Sequence, residues 1–156
     1  MPARLELACD LQNPLPNEQL NQIIWEKRLG VFLRVATAIG PSLPYAESEW
    51  GRALLDRGKP DAAIEKFKLS NGKGPHFADP LEGWGEALMA KNQSHLALAK
   101  FAQAEKYAPN WGRLHLKWGE ALIYAGKIEE AKVQFARAAQ LDLTRAEKSE
   151  LARHPN

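Results

Sequence analysis

The chain has 156 residues, enough to bury a core without help from disulfides or metals. Its 21 Lys and Arg against 19 Asp and Glu give a formal charge of +2, too weak a field to draw in nucleic acid or an anionic membrane. Cys9 is the single cysteine, which excludes an internal disulfide framework and leaves no zinc-ligand spacing, and no apolar run approaches the roughly 18 residues of a membrane span.

Residues 1–16 lack an apolar signal-peptide core, carry Pro14 and Pro16 and show no clear period, so they read as an irregular N-terminal segment. Residues 17–43 follow as an N-terminal helix, with Ile23, Ile24, Leu29, Val31, Phe32, Leu33, Val35 and Ile39 apolar. Its second half shares the register of the chain downstream, because Ala36 and Pro41 stand 34 residues before Ser70 and Pro75. The segment is therefore either a cap or a degenerate half-repeat whose first helix is missing.

From residue 44 the chain repeats itself. Trp-Gly-x-Ala-Leu occurs at Trp50–Leu54, Trp84–Leu88 and Trp118–Leu122, at intervals of 34 residues. The same step links Gly58, Asn92 and Gly126, then Ala63, Ala97 and Ala131, then Phe67, Phe101 and Phe135. A fixed period of roughly 20–50 residues signals a stacked array of supersecondary units. Units of two antiparallel helices explain each column. Gly51, Gly85 and Gly119 would stand within first helices, where glycine costs about 1 kcal/mol relative to alanine, so close approach of the second helix must require them. The alanines and phenylalanines would form the facing stripe, and the tryptophans would fill the wider part of the seam. Gly58, Asn92 and Gly126 suit the left-handed turn that ends a first helix, and Pro60 suits the first turn of the next. The units are 44–77, 78–111 and 112–143. In 144–156, Thr144-Arg145-Ala146-Glu147 is a capping-box pattern that opens a C-terminal capping helix with Leu151 turned inward.

These residues resemble the tetratricopeptide repeat, whose 34-residue unit carries Trp, Leu-Gly, Ala-x3-Phe and Pro positions. Tryptophan directly before the glycine, and Ser70 where Ala104 and Ala138 stand in the other units, depart from that pattern. The resemblance implies an all-α, right-handed solenoid of antiparallel helix pairs with N- and C-terminal caps. It also implies a concave groove, lined by the first helices, in which another protein or peptide is held. Carried over position by position, the groove comprises Tyr45, Ser48, Glu49, Arg52, Leu55 and Asp56, then Asp79, Glu82, Gly83, Glu86, Met89 and Ala90, then Arg113, Leu116, Lys117, Glu120, Ile123 and Tyr124. Six of these are acids and three are bases. The family's carboxylate clamp matches only in part. Arg113 and Lys117 keep basic character, whereas Ser48, Arg52 and Gly83 replace a lysine and two asparagines. The expected ligand is instead a segment bearing Lys or Arg opposite Glu82 and Glu86, with apolar contacts to Leu55, Met89 and Tyr124.

No catalytic residue, metal site or cofactor is expected. His76, His95, His115 and His154 fall in different units without acids at ligand spacing and read as solvated. Gly72 and Gly74 have neither a preceding strand nor a following Gly-Lys-Ser/Thr, so they make an inter-repeat turn rather than a phosphate loop. The alternatives to a non-enzymatic scaffold are a regulatory or targeting module of a larger enzyme and a homo-oligomer formed through the solenoid ends. Nucleic acid and membrane partners are not expected. The compartment stays open, with the cytoplasm favoured over a periplasmic location reached from a longer secreted precursor.

Overall fold

A computed structural model describes Val31 and residues 43–154 of the chain. The expectations for residues 1–16 and 17–43 therefore lie outside the described residues, apart from Val31, which is helical and exposed, and Leu43. From Tyr45 onward the described chain is helical and contains no strand: α1 (Tyr45–Asp56), α2 (Pro60–Lys73), α3 (Ala78–Ala90), α4 (Ser94–Glu105), α5 (Gly112–Tyr124), α6 (Ile128–Ala139) and α7 (Arg145–Leu151). The helices pack as pairs, α1 with α2, α3 with α4 and α5 with α6, and the pairs stack into an α-solenoid that α7 closes against α5 and α6.

Three similar turns set the pairing. Gly58, Asn92 and Gly126 take φ of 67°, 58° and 77°, which reverses the chain after each first helix. The amides of Lys59, Gln93 and Lys127 then reach back to the carbonyls of Leu54, Leu88 and Leu122 at 2.9, 2.9 and 2.8 Å. Each turn thus satisfies carbonyls that the end of an α-helix leaves without partners. Pro60 sits in the first turn of α2, where its missing N–H removes no helical bond.

The phenylalanine column forms the centre of the stack. Phe67 and Phe101 are fully buried and Phe135 nearly so, with Ala63, Ala97 and Ala131 beside them. A Cβ added at Gly51, Gly85 or Gly119 would come within 2.6, 2.7 or 2.4 Å of the Phe67, Phe101 or Phe135 ring. These glycines are the condition for ring and helix to meet. Gly83 plays the same part from the next unit, since a Cβ there would lie 2.4 Å from Phe67 Cζ. Phe67 is therefore held between α1 and α3. Ser70, the departure noted above, is also buried, and its hydroxyl donates to the Pro44 carbonyl at 2.7 Å.

The tryptophans are half-buried rather than enclosed. Lys66 Nζ stands 3.5 Å above the Trp50 ring and Lys100 Nζ 3.8 Å above Trp84, so each indole has one face in the seam and the other against a cation. Gln134 takes the lysine's register in the third unit, where the His115 ring stacks on Trp118 at 6.5 Å. Among the described residues, no helix is long and apolar enough to cross a membrane.

Candidate partner-binding groove

The first helices α1, α3 and α5 carry a line of charged side chains that cross-link successive units. Arg52 of α1 donates from Nη2 to Asp79 Oδ1 at 2.5 Å and to Glu82 Oε2 at 2.6 Å, and from Nη1 to Glu86 Oε1 at 3.4 Å. Arg113 of α5 approaches the same carboxylates from the other side, through Nε to Glu82 Oε1 at 3.0 Å and Nη2 to Glu86 Oε1 at 2.5 Å. Glu82 is completely buried, with one oxygen given to each arginine. The line continues into the cap. Arg113 Nη1 lies 3.7 Å from Glu147, Lys117 Nζ donates to Glu150 at 2.7 Å and to Glu120 at 3.2 Å, and Glu120 meets His154 Nε2 at 3.2 Å.

Positive charge is the scarce component of this network. Asp79, Glu82, Glu86, Glu120, Glu147 and Glu150 make six carboxylates against three permanently charged bases, Arg52, Arg113 and Lys117, with His154 adding a fourth only when protonated. The proton affinities follow that imbalance. Burial and neighbouring Glu86 push the Glu82 carboxyl up to about 8, against the pull of Arg52 and Arg113. Burial also raises Glu120, with Lys117 opposing. Burial works against the charge of Arg52, Arg113 and Lys117, yet the surrounding carboxylates outweigh it and raise all three. Glu82 and Glu120 thus hold a proton more tightly than a free carboxyl, and the bases hold theirs, whereas Glu150, although burial opposes it, is held low by Lys117.

Two recesses open beside the network. One, of about 430 Å³, is lined by Arg52, Leu55, Asp56, Asp79, Glu86, Trp111 and Arg113. The other, of about 440 Å³, lies between the second and third units and is lined by Glu86, Met89, Ala90, Asn92, Ser94, Phe101, Lys117, Glu120 and Tyr124. Both fall near the small end of the roughly 300–1,000 Å³ typical of ligand pockets.

Solved structures share this architecture. The first repeat domain of human RPAP3, solved by NMR, has a TM-score of 0.66 at 21% identity, over 73% of this chain and 91% of that one. The Thermus thermophilus protein TTC0263 gives 0.71 at 23% identity, over 85% of this chain and 75% of its own. The first repeat domain of Spaghetti (RPAP3), bound to the HSP90 peptide SRMEEVD, gives 0.64 at 20% identity, over 70% and 90%. All three are TPR domains or proteins. The chain has the tetratricopeptide-repeat fold. A scan of protein-family models and a search of curated proteins return no match.

Within the tetratricopeptide-repeat framework the expected groove residues part company. Arg52, Asp79, Glu82, Glu86 and Arg113 come together in one network, Lys117 and Glu120 in its continuation, and Leu55, Met89 and Tyr124 line the recesses. Tyr45, which is exposed, and Glu49, which is half-buried, line neither recess. One column needs correction. Ser48, Glu82 and Leu116 are all fully buried, covered by neighbouring side chains rather than open to a ligand. The Ser48 hydroxyl donates to Asp79, and Leu116 joins the cluster of Leu122, Ala131, Phe135 and Ala138. Glu82 can therefore neither face a ligand's Lys or Arg directly nor count as a solvated surface charge.

His115 is also buried, with ring nitrogens 2.8 Å from Gln134 Oε1 and 2.7 Å from the Pro109 carbonyl, so the expectation of a solvated histidine fails there. Sequence reasoning missed the cap's share of the network. The signal was available in the period, since Glu147 stands 34 residues after Arg113 and His154 stands 34 after Glu120.

Proposed function

We propose that the chain is a non-catalytic scaffold that holds a basic peptide or protein segment in the groove of its first helices. The observation that carries this reading is the charge imbalance of the network along the groove and cap, six carboxylates to three permanently charged bases, all three bases already engaged. A segment bringing Lys or Arg supplies what the network lacks; one bringing carboxylates finds no unclaimed cation along the network. The acidic peptide held by Spaghetti is thus a poor guide to the ligand here. At the positions where the family's clamp would grip such a tail, Ser48 is buried and Gly83 lies beneath Phe67. The accessible groove acids are Glu49, Asp56, Asp79, Glu86 and Glu120, since Glu82 is enclosed.

The test is fluorescence anisotropy with two labelled dodecapeptide pools, one lysine-rich and one glutamate-rich, at low and high salt. The lysine-rich pool should bind more tightly by roughly tenfold, with the preference shrinking as salt screens the groove. Combined Glu86→Gln and Glu120→Gln should abolish the preference. Equal binding of the two pools, or a preference that survives the double substitution, overturns the reading.

A further inference from the structure

The two inter-unit junctions are built differently, although they sit at the same register. Between the first and second units the residue on the following first helix is Gly83, and α3 lies so close to Phe67 that a Cβ would reach its Cζ at 2.4 Å. That junction is closed by the ring itself. Between the second and third units the corresponding residue, 34 positions later, is Lys117. Phe101 and Lys117 both line the recess of about 440 Å³. The open junction comes from one difference between copies.

Its walls have two characters. Met89 and Ala90 from α3, Phe101 from α4 and Tyr124 from α5 are apolar or aromatic, and Tyr124 is 77% exposed at the rim, which leaves its ring free to cover an entering group. Glu86, Lys117 and Glu120 supply charge. These three are not equally available. Glu86 is shared by Arg52 and Arg113, and Lys117 is drawn toward Glu150 at 2.7 Å. Glu120 has longer contacts, 3.2 Å each, to Lys117 and His154, and also lies beside the Glu150 carboxyl. The recess therefore sets an apolar wall of Met89, Ala90 and Tyr124 beside the Glu120 carboxylate, with Asn92 and Ser94 completing the lining. A long aliphatic side chain with a cationic head is the group that matches both parts, its stem covered and its head paired. A methionine wall adapts to such a flexible stem.

Resting on the groove reading above, we propose that this recess seats one lysine or arginine side chain of the bound segment. Its stem lies on Met89, Ala90 and Tyr124, and its head pairs with Glu120. The bound segment is anchored between the second and third units, not between the first and second.

Selection of binders from a random dodecapeptide library against the full chain, followed by anisotropy with individual labelled winners, tests it. Winners should share a Lys or Arg next to an apolar residue, and replacing that one cation with norleucine should weaken binding roughly tenfold. Ala90→Trp, at the exposed end of α3, should fill the recess and weaken the same peptides to a similar degree. Tyr124→Ala, at a side chain with little buried surface, should lower affinity while the melting curve stays that of the parent. The proposal fails if winners bind equally to the parent and to both variants, or if norleucine replaces the cation without loss. Winners that respond to Glu86→Gln with Glu120→Gln but not to Ala90→Trp sink the anchor and leave the groove reading standing. Winners unaffected by any of these substitutions sink both.

Discussion

Replacing Gly83 with alanine should destabilise the array, although alanine is the better helix former. The added Cβ would lie 2.4 Å from Phe67 Cζ and 2.5 Å from Cε1, whereas non-bonded carbons rest at about 3.5–4.0 Å. About 1 Å of separation has to be found. The ring cannot retreat, because Phe67 is fully buried and its other neighbour is Gly51, where a Cβ would already lie 2.6 Å away. The shift must come from α3, and with it the Glu82 carboxylate that α3 holds between two arginines. Overpacking of this kind costs about 1–3 kcal/mol. The helix propensity of alanine returns about 1 kcal/mol, so a net loss of up to about 2 kcal/mol is expected. Gly72 supplies the control. It lies in the last turn of α2, not in the inter-repeat turn expected from the sequence, with nothing within 4 Å of its added Cβ, so Gly72→Ala should stabilise by about 0.5–1 kcal/mol. Urea unfolding of both variants should therefore move the midpoint in opposite directions. In a Phe67→Leu background the Gly83→Ala penalty should largely vanish, a coupling that only neighbours show. A Gly83→Ala midpoint at or above that of the parent, with no coupling to Phe67, refutes the packing argument.

Two further outcomes follow from the charge network and the cap. Glu82 binds its proton more tightly in the folded chain, about 8 against 4.5. Its contribution to stability is thus fully present below about pH 4.5 and is lost as pH rises through about 8. Glu82→Gln should flatten that part of the urea-midpoint profile, and identical profiles for the two chains would contradict the assignment. Glu82→Ala should also destabilise, since it empties a fully buried site and takes one shared partner from Arg52 and Arg113, which keep Asp79 and Glu86. At the C-terminus, Thr144 Oγ1 accepts from the Glu147 amide at 3.3 Å while Glu147 Oε2 accepts from the Thr144 amide at 2.8 Å. Thr144→Ala should cost about 1 kcal/mol, seen as faster amide exchange across Arg145–Leu151 with little change in α1.

The scaffold was legible in the sequence because its residues answer to local geometry. A glycine in mid-helix, a left-handed Gly or Asn at a helix end and an Ala-x3-Phe stripe each have one physical use, and a shared 34-residue step makes them mutually confirming. Gly83 escaped because it occurs in one copy only and acts on a phenylalanine of the preceding unit. The groove was less legible for a related reason. Helical spacing assigns Ser48, Glu82 and Leu116 to one column but cannot say what covers it, and a glutamate invites a surface reading. Its burial depends on Arg52 and Arg113, which lie 30 and 31 residues away on opposite sides. His115 was misjudged likewise, because Gln134, 19 residues away, and the Pro109 carbonyl satisfy its ring nitrogens.

The placement of Glu82 also bears on how the array comes apart. In a linear stack each unit normally touches only its neighbours, so the ends can fray one at a time. Here the carboxylate belongs to the middle unit while its two guanidinium partners belong to the outer ones. Loss of either outer unit removes one of the two guanidinium partners and uncovers the shared acid, which weakens the attachment of the remaining pair. That three-body dependence penalises every partly unravelled form and draws the three units toward melting together, as a single cooperative block.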